Sequence, residues 1–345
     1  MSDWIRSNWF VVVIILALAG ATGYFIYDAN RNNVQGRQAD GKDVIASLAD
    51  RDITADGLYD QGAPFDGQLL YNLYKNAVVS QSVQTTSDLE KEAKEMEKTI
   101  DQNVRSQSSD KYKEAISAEL ASYGFGSYDD LYDYCLVNVK EKQLDRTYVD
   151  ARFDELKDSL TEKKPRTVSQ IKVTVSNPES LSDDEQKKID SIDKALESGT
   201  FADAATAFSD DTATADKEGF AGYVDSDDAA QGNGVVAAEA VSAALNLKKG
   251  EVSDWITVTD SSTGAKSMVK ITVDEDDPAA IQTSDDEDVR DELLYALLGS
   301  DSGLSMQIVQ EAAKELKITY PDKDTQTKLE TYMKTRTAGG TEDAK

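Results

Sequence analysis

Val168-Ser169-Gln170-Ile171-Lys172-Val173-Thr174-Val175 decides the fold of this chain. Val168, Ile171, Val173 and Val175 are β-branched, and the last three alternate strictly, the period of a strand with one buried face. Ser182-Asp183-Asp184-Glu185 follows. It is a capping box in which Ser182 caps a helix and Glu185 reaches back to it, with Ile189, Ile192 and Leu196 on one face and Gly199 at the end. A second short helix carries Phe201, Ala205 and Phe208 and stops at Ser209-Asp210-Asp211. Gly219 and Gly222 then mark points where the backbone turns or approaches closely. An alanine-rich helix is predicted from about Val236 to Leu247. The unit closes with Leu247-Lys248-Lys249-Gly250-Glu251-Val252-Ser253-Asp254 as a turn and Met268-Val269-Lys270-Ile271-Thr272-Val273 as a final strand.

Composition sets limits around this unit. At 345 residues the chain is long enough for two or three packed units. The formal net charge of -28 opposes nucleic-acid binding, which needs a basic face. No histidine is present, so the commonest general base, neutral-pH switch and transition-metal ligand is missing, and most hydrolase triads are excluded. The single cysteine, Cys135, reads as a reduced core thiol. The acidic runs Asp225 to Asp228, Asp274 to Asp277 and Asp285 to Asp288 do not fit the calcium-loop pattern and read as solvated surface, so neither a metal nor a cofactor is expected.

Residues 9–27 carry no charge, and roughly 19 apolar residues suffice to span a bilayer. Trp4, Trp9, Tyr24 and Tyr27 flank that run like interfacial anchors. The reading is a signal anchor over 1–28 contacting the lipid bilayer through 9–27. The competing reading is cleavage after Ala17-Leu18-Ala19. In both, the bulk of the chain is exported.

A polar linker is expected over 29–40. Beyond it, Leu69, Leu70, Leu73, Tyr74 and Ala77 form a helical stripe. Ser87-Asp88-Leu89-Glu90 reads as a second capping box, before a helix with Ala93, Met96 and Ile100 on one face. Gly124 ends one helix and Ser127 starts the next, which carries Leu131, Cys135 and Val139. Pro165 marks the junction into the central unit. Two helices are predicted past it, at about Asp285 to Leu298 and Ser302 to Leu316.

The ordered series of strand, helix, short helix, Ser-Asp-Asp, Gly-x-x-Gly, helix, Leu-Lys-Lys-Gly-Glu-Val-Ser and strand resembles the parvulin family of peptidyl-prolyl isomerases over about a third of the chain. The flanks extend the resemblance. Asp52-Ile53-Thr54-Ala55-Asp56-Gly57-Leu58-Tyr59, Tyr123-Gly124-Phe125 with Asp129-Asp130-Leu131, and Leu316-Lys317-Ile318-Thr319-Tyr320-Pro321 are similar to segments of PrsA-type and SurA-type foldases. The last is expected to supply a strand and the start of the final helix.

The resemblance implies an α+β chain. It has an N-terminal transmembrane helix, a mostly helical chaperone domain made jointly by segments 41–165 and 276–335, an inserted parvulin-like domain over 166–275 with an antiparallel sheet and surrounding helices, and a disordered tail over 336–345. It implies unfolded or nascent secreted polypeptides as partners, leaves a homodimer open, and places the protein outside the membrane of a bacterium bounded by one membrane. A structural adaptor in a membrane-bound complex is a further reading.

A parvulin site eases a rotation whose barrier is roughly 18–20 kcal/mol by holding a proline ring in an apolar cup and the twisted amide on a polar floor. Carried over from the family, the two floor histidines fall at Gln170 and Ser267, and the floor acid falls at Asp211, the one catalytic position retained. The methionine and phenylalanine of the cup fall at Val236 and Ala240. With both histidines replaced, the resemblance implies a degenerate isomerase pocket and a chaperone with weak or no turnover, against the alternative of an active isomerase with Gln170, Ser267 and Asp211 as its floor.

Overall fold

The computed structural model describes residues 37–39, 42–48, 51–260, 263–316, 318–320 and 323–338. The run over 9–27 lies outside them, and among the described residues no helix is long and apolar enough to cross a membrane.

In chain order the elements are β1 (Arg37–Ala39), β2 (Lys42–Leu48), β3 (Arg51–Thr54), α1 (Ala55–Ser82), α2 (Ser87–Ser108), α3 (Tyr112–Ser122) and α4 (Leu131–Leu156). They continue with β4 (Arg166–Val175), α5 (Asp183–Ser198), α6 (Phe201–Phe208), β5 (Phe220–Val224), α7 (Ala238–Ala244), β6 (Ile256–Thr259) and β7 (Lys266–Glu275). The last are α8 (Pro278–Gln282), α9 (Glu287–Ser300), α10 (Leu304–Lys314) and α11 (Lys323–Ala338). The described residues form two compact units: Val149–Asp301, and a helical unit made by the described residues up to Tyr148 together with those from Ser302 onward.

In the first unit the four strands form an antiparallel sheet in the order β5-β4-β7-β6. Alternation along β4 sends Ile171, Val173 and Val175 to one face, under Ile189 and Ile192 of α5 and Ala204 and Ala205 of α6. Val168 faces the other way, into a core with Val269, Ile271 and Val273 of β7 and Val241 and Ala244 of α7. A third cluster joins Val149 and Phe153 at the end of α4 to Tyr223, Ile281 and Leu293. The unit therefore takes in the end of α4, α8 and α9 besides the sheet.

Local signals explain most boundaries. Ser182 accepts from Glu185 N while the Glu185 carboxylate accepts from Ser182 N, the reciprocal cap read from the sequence. Gly219 and Gly222 both have positive φ, +88° and +93°. A Cβ on Gly219 would sit 2.7 Å from Ala205 Cβ and 3.0 Å from the Gln170 carbonyl oxygen, so this is a close approach of backbone to core. Gly222 lies inside β5, where the register with β4 slips between Val168 and Ser169, a bulge rather than a turn.

Several expectations are corrected. The alanine-rich helix is seven residues, Ala238–Ala244, not Val236–Leu247. Asn233 Oδ1 accepts from Val235 N and Val236 N and holds them outside the helix, while Asn246 and Leu247 make only tight turns back to Ala243 and Ala244. β6 was not anticipated, although Ile256-Thr257-Val258-Thr259 is entirely β-branched.

The helical unit begins with the three-stranded antiparallel sheet β1-β2-β3, so Arg37–Ala39, inside the stretch read as linker, is a strand. α1 runs 28 residues as one helix. Its face carries Tyr71 against Met306, Leu329 and Met333, and Val78 against Val309 and Ala313, which docks α10 and α11 onto it. α2, α3 and α4 pack around Ala93, Leu120, Leu131 and Cys135, with the cysteine fully buried. Burial pushes its thiol up to about 12, so it is a core hydrophobe. The cap of α2 is Thr86, whose Oγ1 accepts from Leu89 N, one residue before the expected Ser87. Gly124, φ +87°, and Ser127 end and restart the chain as read. No strand forms at 318–320, and Arg336 to Ala338, expected in a disordered tail, complete α11.

Candidate functional site

β4 and β7 pair so that Gln170 lies opposite Ile271 on the sheet face covered by α7. Gln170 is buried, and its Nε2 donates to Asp211 Oδ2 at 2.7 Å and to the Val235 carbonyl at 3.1 Å. Both N–H bonds of the amide are thereby committed, and its carbonyl oxygen is an acceptor.

Asp211 sits at the centre of the loop from α6 to β5. Its Oδ2 also accepts from Thr214 Oγ1 at 2.8 Å, and its Oδ1 from Ala213 N at 3.2 Å. Its backbone carbonyl accepts from Thr214 N and Ala215 N. The residues before it tie the loop to β4: Asp210 N donates to the Lys172 carbonyl, Asp210 Oδ2 accepts from Thr174 N, and Ser209 Oγ accepts from Lys172 N. The carboxylate works here as a loop anchor as well as a partner of Gln170.

Val236 and Ala240, the two residues expected in the cup, are core residues packed with Val168, Val269 and Ile271 under the same sheet face. Val235 beside them is exposed. Ser267 is buried on the same face, but its register partner is Thr174, four residues along β4 from Gln170. At the rise of a strand that is roughly 13 Å. The fold therefore unites Gln170 with Asp211, seats Val236 and Ala240 beneath the same helix, and leaves Ser267 apart.

Sequence reasoning missed two members. Thr214 is buried and shares the Asp211 carboxylate; the Asp-x-x-Thr spacing is its signal. Asn233 donates from Nδ2 to the Tyr223 carbonyl and, through Val235 N and Val236 N, sets the carbonyl that Gln170 binds. Its signal is the run Gly232-Asn233-Gly234.

The acidic runs have structural work. Asp225 caps the turn over 226–230 and accepts from the buried Tyr223 hydroxyl at 3.0 Å, Asp277 caps α8, and Asp286 caps α9. Asp228 Oδ2 accepts from Asp225 N, and burial raises the Asp228 carboxyl to about 6.

The helical unit has a concavity of its own. A cavity of about 360 Å³ lies against α1 and α4, lined by Ala77 and Ser80, by Leu136, Asp133 and Lys140, and by Phe125 before α4.

Residues 171–266 match the sequence model of the PPIC-type PPIase domain, a rotamase. The match starts just after Gln170 and stops just before Ser267. No curated protein matches the chain. Among solved structures the chain is similar to the foldase protein PrsA of Streptococcus pneumoniae, at 19% identity over 84% of this chain and 99% of that one, TM-score 0.38. It is also similar to the peptidylprolyl isomerase PrsA of Bacillus cereus, at 19% identity over 84% and 98%, TM-score 0.31. For the foldase PrsA of Lactococcus lactis the values are 18% identity, 83% and 97%, and TM-score 0.35. The residues matched over 171–266 include β5, β6 and the second half of β4 from the antiparallel sheet, and the helices between those strands. Residues 171–266 thus match the parvulin-type PPIC domain of peptidyl-prolyl isomerases, in a chain similar to PrsA foldases.

Proposed function

We propose that this chain is an extracytoplasmic foldase that holds non-native exported polypeptide, and that its parvulin-type domain is a peptide-contacting scaffold with little or no turnover. The run over 9–27 is its membrane anchor, and the segments 41–165 and 276–335 supply the chaperone surface around the inserted 166–275.

The observation that carries this reading is the state of the polar floor. Gln170 stands where the family has a histidine, and both its N–H bonds are already given to Asp211 and Val235. A twisted amide needs a donor for its carbonyl oxygen, and that donor is spent. The cup positions Val236 and Ala240 are buried in the sheet core and offer no apolar surface to a proline ring.

The second reading, an active isomerase, is favoured by the family match over 171–266. The two are separated by assaying the full-length protein in detergent for isomerisation of an X-Pro peptide and for suppression of aggregation of a reduced, unfolded client. Suppression without turnover above the uncatalysed rate is the expected result. Turnover well above background would replace the holding reading with the enzymatic one, and loss of both would remove the foldase reading altogether.

A further inference from the structure

α1 presents Leu69, Leu73 and Ala77 on one face, at i, i+4 and i+8, for roughly 12 Å of helix. Leu69 and Leu73 are 41% and 48% exposed, unusual for leucines in a packed helix, and Ala77 is exposed beside them. The face runs on into the cavity of about 360 Å³, where Phe125 and Leu136 form the apolar wall.

The walls are braced. Asn72 and Asn76 donate from Nδ2 to the carbonyls of Ser122 and Tyr123 at 2.9 and 2.8 Å, fixing α1 to the end of α3. Lys75 pairs with Glu141 at 2.5 Å, and Lys140 donates to the Ser80 carbonyl at 3.0 Å, fixing α1 to α4. A braced apolar groove loses little entropy on binding.

Charge selects the occupant. Lys140 is the cation of the lining, but it is 5% exposed and tied to the Ser80 carbonyl. Asp133 in the lining is exposed, and the chain as a whole carries a net charge of -28. An apolar trough with an open carboxylate in an anionic field favours apolar side chains interleaved with lysine or arginine and disfavours acidic ones.

We propose that this groove on the helical unit is a binding site for extended polypeptide in which apolar residues alternate with basic ones. The inference rests on the foldase reading and adds to it a place and a sequence preference.

The test is fluorescence anisotropy with the full-length protein in detergent and three short labelled peptides: leucine alternating with lysine, leucine with glutamate, and serine with lysine. The leucine–lysine peptide is expected to bind at least roughly tenfold more tightly than either of the others. Ala77→Trp, at an exposed position, fills the trough and is expected to weaken that binding roughly tenfold, while Asp133→Lys narrows the gap between the lysine and glutamate peptides to within about threefold. Far-ultraviolet circular dichroism and thermal unfolding verify that both variants are folded.

If the leucine–lysine peptide binds and Ala77→Trp leaves its affinity unchanged, the groove is not the site, although the foldase reading stands. Equal binding of the serine–lysine peptide would reduce the effect to bulk charge and also overturn the proposal. If no peptide binds and no client aggregation is suppressed, the groove and the foldase reading fall together.

Discussion

Asp211 shows how one carboxylate can organise a loop and a neighbouring strand residue at once. Its carboxylate accepts from Gln170, Thr214 and Ala213 N, so its first effect is on the loop from α6 to β5. Asp211→Ala should destabilise the parvulin-type unit by about 2 kcal/mol, since it strands a buried amide and a buried hydroxyl. Thr214→Val should cost about 1 kcal/mol, read as a shift in the midpoint of urea unfolding. An Asp211→Ala protein with unchanged stability would mean the carboxylate is not the loop's anchor. Asp145 of α4 makes a different prediction. It is 6% exposed with Oδ1 buried and unpartnered, and burial, reinforced by Glu141, pushes its carboxyl up to about 8, against the opposing pull of Lys75. Because the folded value lies above the ordinary 3.8, its stabilising contribution is complete below about pH 4 and is lost as pH rises toward and through 8. Asp145→Asn should therefore flatten the fall in thermal stability between pH 5 and 9, in the sense that wild type loses more; parallel pH profiles for the two proteins would refute this.

At the scale of elements, the reciprocal cap on α5 was legible because Ser182 and Glu185 act within four residues. So were the faces of β4, because alternation alone sets them. The extent of α7 was not legible. Alanines read as helix, but the side chain of Asn233, acting across a loop, withdraws Val235 and Val236 from it. Ser87 reads as well as Thr86 for a cap, and only the observed bond to Leu89 N decides between neighbours. That Gln170 and Asp211 lie together was legible, since they sit on a strand and on the loop beside it. The separation of Ser267 from them was not, because strand register depends on pairing across the sheet. The two glycines give a paired prediction. Gly219→Ala adds a Cβ at 2.7 Å from Ala205 Cβ on top of its positive φ, whereas Gly222→Ala meets nothing within 4 Å. Gly219→Ala should lower stability by about 3 kcal/mol and Gly222→Ala by only about 1 kcal/mol, by urea denaturation. Equal losses would show that backbone strain alone governs both sites.

For the whole molecule, the net charge of -28 dominates the long-range electrostatics. Self-repulsion of this size is screened by salt, so raising ionic strength from low to physiological and beyond should raise the thermal midpoint by a few degrees, measured by calorimetry; a falling midpoint would assign the net effect to attractive pairs such as Lys75 with Glu141 instead. The unit over Val149–Asp301 is a single continuous stretch, whereas the helical unit joins the chain before Tyr148 to the chain after Ser302. That division has a consequence in time. A chain made from its N-terminus delivers α1 before α10 and α11, yet Tyr71 and Val78 find their cover only when those two helices arrive. The inserted domain has by then all the residues it needs to fold. Until those helices follow, the newly made chain carries a naked apolar helix, and for that interval it is itself a non-native polypeptide with an uncovered adhesive face.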